Sequence, residues 1–135
     1  MAQLPRVIRR RSAISGWGVY ALHPIEEDTH IVEYKGELVR QAEAWRREQR
    51  YLPRQRIWIF NIDERWARDA AFGGNIARYI NHACRPNCYV DIDGRTIWIR
   101  ASRRIRAGEE LTYDYNTDGE ANIPCRCRPR CRRML

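Results

Sequence analysis

The chain has 135 residues and carries 25 Lys and Arg against 17 Asp and Glu, a formal net charge of +8 at pH 7. This length predicts a modest core and one compact unit. No apolar run approaches the roughly 18 residues of a membrane span, and no apolar segment follows the basic residues near Met1, so we expect no membrane partner and no signal peptide. The composition therefore indicates a soluble, intracellular protein.

The positive charge lies at the two ends of the chain. Residues 1–11 contain four arginines and residues 125–135 contain five, and neither stretch contains an acid. Those nine arginines leave 16 cations against 17 acids in residues 12–124. Two interpretations stay open: the ends are solubilising arms, or they contact phosphates such as those of DNA.

The predicted elements are mostly short strands. In the first half of the chain, the pattern predicts a strand–turn–strand unit over 7–22 with its turn at 15–18, a strand over 30–34, a helix over 41–51 and a strand over 57–62. In the second half it predicts an extended piece over 69–72, a short helix over 75–80, a hairpin over 89–101 that turns at 93–94, and a strand over 110–115. Residues after 116 show no periodicity, so we expect something other than a core to hold them. The fold class is mostly β, with small curled sheets and short helices.

Five cysteines indicate a metal site. They are Cys84, Cys88, Cys125, Cys127 and Cys131. In a reducing compartment such a cluster predicts metal ligands before disulfides. The tail supplies three thiolates, and a tetrahedral zinc ion needs a fourth, from Cys84 or Cys88. A site closed by four thiolates is structural, and we expect the arginines at 126, 128, 130 and 132 to lower the thiol pKa values. The alternative is three incidental tail thiols.

Two further groups of residues could carry chemistry. Asn81, His82 and Cys84 stand together at a chain reversal, where a binding site and a plain core histidine are both compatible with the residues. Tyr113 and Tyr115 project to one face of a strand, and Tyr34 ends another strand. These tyrosines either pack as half-buried side chains or form an apolar wall with hydroxyls at one end, suited to a long aliphatic chain with an amine tip.

Four motifs occur together in one order. They are Ser15-Gly16-Trp17-Gly18-Val19-Tyr20-Ala21, Glu33-Tyr34-Lys35-Gly36-Glu37, the stretch from Gly74 to Cys88 that contains Arg78-Tyr79-Ile80-Asn81-His82, and Gly108-Glu109-Glu110-Leu111-Thr112-Tyr113-Asp114-Tyr115, followed by the cysteine tail. With these motifs the chain resembles the SET-domain protein lysine methyltransferases over about residues 6–131. The resemblance implies a β-clip fold in which the Asn81-His82 segment and the C-terminal tyrosine strand meet in a knot-like crossing.

The resemblance also implies roles for individual residues. S-adenosylmethionine would be bound by Ser15, Gly16, Trp17, Trp58, Arg78, Asn81 and His82. Tyr115 matches the catalytic tyrosine, and Tyr34 and Tyr113 match two that line the lysine channel. Cys84, Cys125, Cys127 and Cys131 match the zinc ligands, although three residues separate Cys127 from Cys131 where relatives usually have four. Cys88 would be a buried small side chain. The expected domains are a SET domain with a short basic N-terminal arm over 1–116 and a post-SET zinc-binding tail over 117–135.

The function implied is S-adenosylmethionine-dependent N-methylation of a protein lysine, mainly to the mono- or dimethyl form because Tyr113 occupies the family's switch position. The expected substrate is a histone or histone-like basic protein, and the acids that could line its groove are Asp91, Asp93, Glu109, Glu110, Asp114, Asp118 and Glu120. Two alternatives stay open: a non-catalytic zinc-stabilised module that binds chromatin or nucleic acid through its arginine-rich ends, and a methyltransferase of a non-chromatin protein such as a ribosomal one. We expect a monomer in the cytoplasm or nucleoid of a bacterium, or on chromatin if the protein is eukaryotic or exported to a host.

Overall fold

Ten short strands form four small sheets. The structure, a computed structural model, describes residues 3–135. Over that range the strands are β1 (Val7–Arg11), β2 (Trp17–Ala21), β3 (His30–Glu33), β4 (Glu37–Arg40), β5 (Ile59–Asn61), β6 (Trp66–Asp69), β7 (Asn81–His82), β8 (Cys88–Asp93), β9 (Thr96–Ala101) and β10 (Thr112–Tyr113). The helices are α1 (Gln41–Tyr51) and two short 3₁₀-helices, Leu52–Arg54 and Ile76–Tyr79. The predicted mostly-β class is confirmed.

The sheets are small because each strand finds only one or two neighbours. β1 pairs with β2, β3–β9–β8 and β4–β6–β5 form three-stranded antiparallel sheets, and β7 pairs in parallel with β10. The predicted hairpin joins β8 to β9 through Gly94, which has the positive φ that a tight hairpin turn requires. Along β9 the alternate residues Ile97, Ile99 and Ala101 are fully buried, so this strand carries the centre of the core.

Helix α1 has the predicted bounds, and buried polar contacts fix it to the sheet that contains β6. Arg47 Nε lies 3.2 Å from Glu43, one turn earlier, and its Nη1 lies 3.1 Å from the carboxylate of Asp69 on β6. Tyr51 donates its hydroxyl to the same carboxylate at 2.7 Å. Asp69 is fully buried, and these donors compensate its charge. One face of the helix thus stays against β6, and the other faces a groove described below.

Several predicted elements were wrong in detail. Glu37 begins β4, which pairs with β6, and neither strand was predicted. The piece expected to be extended over 69–72 is the end of β6 followed by a turn. The strand expected over 110–115 shortens to Thr112–Tyr113, since Glu110 forms only an isolated bridge with Tyr20 and the Tyr115 N–H donates to the His82 side chain and not to a backbone carbonyl. Side-chain and long-range pairing override local propensity in each case.

The tail does have a small core of its own, contrary to expectation. Ile123, Cys125 and Leu135 are buried together and pack against Leu52 and Ile57. Short backbone hydrogen bonds join its two limbs, from the Cys125 N–H to the Arg133 carbonyl and from the Leu135 N–H to the Ile123 carbonyl. This cluster seats the tail on the segment after α1. Among residues 3–135, none of the helices combines the length and apolarity needed to cross a membrane.

Candidate active site and thiol cluster

The parallel pair β7–β10 brings two distant parts of the chain together. Asn81 lies opposite Thr112 and His82 opposite Tyr113. Tyr115 then donates its backbone N–H to Nδ1 of His82 at 3.0 Å. Because Nδ1 accepts a hydrogen bond, the neutral ring carries its proton on Nε2. Burial lowers the pKa of His82, which favours this neutral form. His82 therefore positions the tyrosine strand and is not placed to act as a base.

A cavity of about 250 Å³ opens beside this pair, and we call it the first cavity. All seven residues predicted to hold the cofactor line it: Ser15, Gly16, Trp17, Trp58, Arg78, Asn81 and His82. Tyr115 lines it too, together with residues that the sequence did not indicate: Gln55, Arg56, Tyr79 and the tail residues Ile123, Pro124, Cys125, Arg126 and Leu135. No sequence pattern indicated that tail residues line this cavity, because their position depends on how the tail packs against the segment after α1.

A carboxylate that was expected in a substrate groove instead holds the glycine turn. The Asn81 amide donates to the backbone oxygens of Ser15 at 3.2 Å and Trp17 at 3.0 Å, and to Glu110 Oε2 at 2.9 Å. Glu110 also accepts the hydroxyls of Ser12 and Tyr20. A Cβ on Gly18 would clash with Glu110 Oε2, so a larger residue there would have to displace this carboxylate from its donors. Glu110 is a positioning residue that the sequence interpretation missed.

Substituting Glu110→Ala should therefore destabilise the turn that walls the first cavity. Three partners would lose a charged acceptor, and we expect the free energy of unfolding to fall by about 2–4 kcal/mol. Urea denaturation followed by tryptophan fluorescence measures this. Glu26→Ala serves as the control, because it removes a solvent-exposed ion pair with Arg104 that contributes at most about 1 kcal/mol. Equal losses in the two variants would contradict the role given to Glu110.

Aromatic rings form a continuous wall next to the first cavity. The ring centroids of Tyr34 and Phe60 lie 5.0 Å apart, those of Phe60 and Tyr113 6.0 Å, and those of Tyr113 and Tyr115 4.9 Å. Tyr34 donates its hydroxyl to the Trp58 carbonyl, and Tyr115 donates to the Ile80 carbonyl. Burial raises the pKa of all three tyrosines, so their hydroxyls stay protonated. Phe60 was missed because only the tertiary fold shows which face of β5 joins the wall.

This wall is one side of a larger cavity of about 1000 Å³, which we call the groove. Four carboxylate side chains line the groove: Glu48, Asp114, Asp118 and Glu120. No Arg or Lys side chain among residues 3–135 lines it. Of the seven acids expected there, only Asp114, Asp118 and Glu120 line it, and Asp114 also lies 3.5 Å from Arg133. Asp91 and Glu109 pair with arginines and do not line it. Burial and the charge of Asp118 raise the pKa of Glu48. Tyr115 lines both cavities and so stands between them.

Four cysteine sulfurs converge where the tail meets the β7 segment. The ligand atoms of Cys84, Cys125, Cys127 and Cys131 all lie within 4.8 Å of one another. Cys84 Sγ lies 3.8 Å from that of Cys131 and 3.9 Å from that of Cys125. A tetrahedral zinc with sulfur ligands at about 2.3 Å sets sulfur–sulfur distances of about 3.8 Å. The donor set therefore fits zinc, and the short spacing between Cys127 and Cys131 does not prevent convergence.

The surroundings of the thiol cluster differ from expectation in two respects. The arginines were expected to lower the thiol pKa values, but burial raises the pKa of the Cys84 thiol and raises that of Cys125 to about 12. The guanidinium that reaches a thiol belongs to Arg133, 4.0 Å from Cys84 Sγ, and not to the four arginines named from the sequence. The backbone N–H of Arg133 also lowers the pKa of the Cys131 thiol to about 7. Cys88 lies apart and is buried in the main core, as expected for a small side chain.

Comparisons with known proteins agree with this geometry. A family described as "SET domain" matches residues 16–116. The chain is 47% identical over 136 residues to "Histone-lysine N-methyltransferase, H3 lysine-4 specific" of Yarrowia lipolytica, with 93% of this chain covered. It is 46% identical over 135 residues to "Histone-lysine N-methyltransferase trr" of Drosophila melanogaster, again over 93% of this chain. The chain spans only 12% and 6% of the length of these two relatives.

A solved structure shows the same fold. It is the "Humanized mutant of the Chaetomium thermophilum Polycomb Repressive Complex 2 bound to the inhibitor GSK126", with a TM-score of 0.73 and 35% identity over 84% of this chain and 15% of that one. The family match covers most of the chain and includes the glycine turn, the Asn81-His82 strand and the tyrosine strand. The chain therefore belongs to the SET domain family.

Proposed function

We propose that this protein is an S-adenosylmethionine-dependent protein-lysine N-methyltransferase that acts on a histone or histone-like basic protein. One observation carries the proposal: Tyr115 lies between a cavity lined by every predicted cofactor residue and a groove lined by carboxylates and aromatic rings. A methyl donor on one side and a lysine on the other would meet at this residue. The names of the relatives point to histone H3, and among its lysines to the fourth residue.

The residues of the first cavity suit the donor. Bound S-adenosylmethionine would supply a methyl group on a positively charged sulfur. The Ser15–Gly18 turn brings backbone groups to the cavity, Trp17 and Trp58 contribute aromatic lining, and Arg78 offers a cation suited to a carboxylate. Asn81 uses its amide N–H groups on the turn itself, so its contribution is to hold the turn in place.

The groove suits a cationic protein segment with a lysine. Its four carboxylates attract cationic residues, although the chain as a whole carries a charge of +8. A lysine must lose its proton before its amine can attack the methyl group. Because its ordinary pKa is about 10.4, a free lysine is protonated at neutral pH. Enclosure by Tyr34, Phe60 and Tyr113 disfavours the charged ammonium by desolvation. The aromatic wall would thereby orient the amine and favour its neutral form, and the proton would pass to water, so no strong base is required.

Tyr113 should limit how many methyl groups are added. It lines the groove, and within residues 3–135 its hydroxyl makes no hydrogen bond to protein atoms, so it is free to hold a water where a further methyl would sit. We expect Tyr113→Phe to shift the product from mono- and dimethyllysine toward trimethyllysine. Mass spectrometry of a methylated peptide measures the distribution, and Tyr89→Phe, which removes a hydroxyl bound to Asp28, is the control. An unchanged distribution in Tyr113→Phe would contradict this role.

We further propose that the four-cysteine cluster holds a structural zinc ion and that residues 117–135 act as a post-SET tail on a SET domain over 1–116. The tail supplies Ile123, Cys125 and Leu135 to the first cavity, and Asp118 and Glu120 to the groove. A metal that joins the tail to Cys84 would therefore complete both cavities. With four thiolates the ion has no open position and would take no part in the chemistry.

The test is transfer of a labelled methyl group from S-adenosylmethionine to protein. The acceptors are histone H3, an H3 whose fourth residue is changed from lysine to arginine, the other core histones and a ribosomal protein fraction, with the Tyr115→Phe variant as the enzyme control. We expect label on H3 and little on its altered form. Label only on ribosomal proteins would replace the substrate assignment. No label on any acceptor, from zinc-loaded protein, would favour the non-catalytic chromatin-binding module.

A further inference from the structure

The first cavity and the groove carry opposite charges. Arg56, Arg78 and Arg126 line the first cavity, and no Asp or Glu side chain among residues 3–135 does. Two more arginines stand at its edge, because Arg9 and Arg11 each place their guanidinium carbon 4.3 Å from the ring centre of Trp17, which lines the cavity. These five residues, Arg9, Arg11, Arg56, Arg78 and Arg126, form what we call the arginine rim. Glu110 lies behind the Ser15–Trp17 turn and is occupied by its own donors.

The arginine rim is not neutralised by the protein. Over residues 3–135, the ion pairs of arginine involve Arg46, Arg47, Arg100, Arg103, Arg104 and Arg133, and none involves the arginine rim. Four of its members are exposed, and Arg78 is half-buried. Stacking on aromatic rings holds four of them: Arg9 and Arg11 on Trp17, Arg56 on Trp58 at 4.8 Å, and Arg78 on Tyr79 at 4.9 Å. Arg78 also donates to the Ala70 carbonyl and the Tyr79 hydroxyl. A stacked guanidinium keeps its in-plane N–H groups available for an anion.

We propose that the arginine rim binds the phosphate backbone of nucleic acid, and that nucleic acid bound there favours the methyl donor over its demethylated product in the first cavity. The second half of this statement depends on the proposed function. The guanidinium fork matches a phosphate group with two parallel hydrogen bonds. Two guanidinium groups already cover Trp17, so this ring is not free to stack on a base or to insert into a lipid layer. The contact is thus to phosphates and independent of sequence.

The effect on the donor follows from charge. S-adenosylmethionine has a cationic sulfur, an ammonium and a carboxylate, hence one net positive charge, whereas the demethylated product has none. Arg78 is assigned to the carboxylate that donor and product share, so it does not distinguish them. The other four arginines of the unoccupied rim repel the cationic donor and leave the neutral product unaffected. Phosphates on the arginine rim lie within a Debye length of about 8–10 Å of the cavity and offset the repulsion. Each unit charge at such distances in water changes the relative affinity about twofold, so two or three phosphates together change it about three- to tenfold.

Binding is tested first, without catalysis. The zinc-loaded Tyr115→Phe protein is titrated into a fluorescent duplex DNA at several salt concentrations, and anisotropy gives the affinity. Each phosphate contact contributes about −0.9 to the slope of log K against log salt. We expect Arg9→Ala/Arg11→Ala to reduce the slope by about two, and Arg9→Lys/Arg11→Lys to keep most of it.

The chain offers a matched control. Arg40 and Arg95 stack on Trp66 at 4.6 and 4.5 Å, the same arrangement away from both cavities. Arg40→Ala/Arg95→Ala should leave the slope within about half a unit of the parent value, because no phosphate contact is assigned to these residues. Equal slopes for the two alanine pairs would overturn the assignment, and so would tighter binding to phosphatidylglycerol vesicles than to DNA, which would make the arginine rim a membrane surface.

Coupling is tested next. Calorimetry gives the Kd of S-adenosylmethionine and of S-adenosylhomocysteine with and without the duplex. We expect the duplex to improve the donor-to-product affinity ratio about three- to tenfold, and high salt or Arg9→Ala/Arg11→Ala to abolish the change. An unchanged ratio with DNA bound would overturn the coupling. DNA binding without any methyl transfer in the wild-type protein would count against the proposed function alone, and methyl transfer without DNA binding against this inference alone.

Discussion

Replacing Tyr115 by Phe should remove most methyl transfer while leaving the donor bound. Tyr115 lines both cavities, and its hydroxyl donates to the Ile80 carbonyl beside the β7–β10 pair. The substitution keeps the ring that separates donor from acceptor and deletes only the polar group at the point where they meet. Removing one preorganised polar group at a reacting centre typically costs about 10²–10³-fold in rate. We expect a loss of that size in kcat.

The measurement needs two readouts. Radiolabel transfer to histone H3 gives kcat, and calorimetry gives the Kd for S-adenosylmethionine, which should stay nearly unchanged because the Tyr115 backbone N–H to His82 is retained. Tyr89→Phe loses a hydroxyl that is bound to Asp28 away from both cavities, and should turn over normally. Full turnover by Tyr115→Phe would remove this residue from the catalytic role. A parallel loss of donor affinity would mean that it only shapes the cavity.

Replacing Cys84 by Ser should release the tail and reduce activity together. Among the described residues, Cys84 is the one member of the cluster outside the tail, so a metal bound there would join the tail to the β7 segment through Cys84. Thiolate-bound zinc stabilises small folds strongly, with about 10–16 kcal/mol of apparent binding energy in zinc-finger peptides. The apolar contacts of Ile123 and Leu135 are few by comparison. Since the tail walls both cavities, we expect activity to fall at least about tenfold, the loss that a misplaced reacting group readily causes.

Trypsin reports on the tail directly, because five arginines stand between residues 125 and 134. We expect Cys84→Ser to lose its zinc, measured by atomic emission, and to be cleaved rapidly in the tail, whereas the parent resists. Cys88→Ser is the matched control, since Cys88 is buried in the main core and lies outside the cluster. A variant that loses zinc and tail protection yet keeps full activity would break the link between the metal and the site.

Local signals predicted local structure well. The bounds of α1 follow from a run of good helix formers with Glu43 and Arg47 one turn apart, and the β8–β9 hairpin follows from Asp93-Gly94. The motif order also indicated which residues gather at the first cavity. These features depend on neighbours in the sequence or on motifs that keep their spacing.

Features that depend on distant partners were not predictable. β6 was missed because Arg68 and Asp69 break its apolar pattern, and only Arg47 and Tyr51 on the helix make a buried Asp69 acceptable. Glu110 has the sequence context of a surface acid, and only the fold surrounds it with Ser12, Tyr20 and Asn81. At such positions the role of the side chain depends on contact partners that are distant in the sequence, so the neighbouring residues do not indicate it.

The two-residue pairing of β7 with β10 has a consequence for local stability. It is a very short parallel ladder between segments far apart in the chain. Pairing them closes the long loop between β7 and β10, and the hydrogen bonds of two paired positions offset only part of the entropy lost. The neighbouring hairpin of β8 and β9, with six paired positions and fully buried alternate side chains, has no such weakness. The residues around Tyr115 are therefore expected to open more often than the hairpin, so that amide hydrogens there exchange with solvent earlier. Tyr115 lies next to this short ladder and lines both cavities, so a ligand bound in either cavity would add order where the backbone pairing is short.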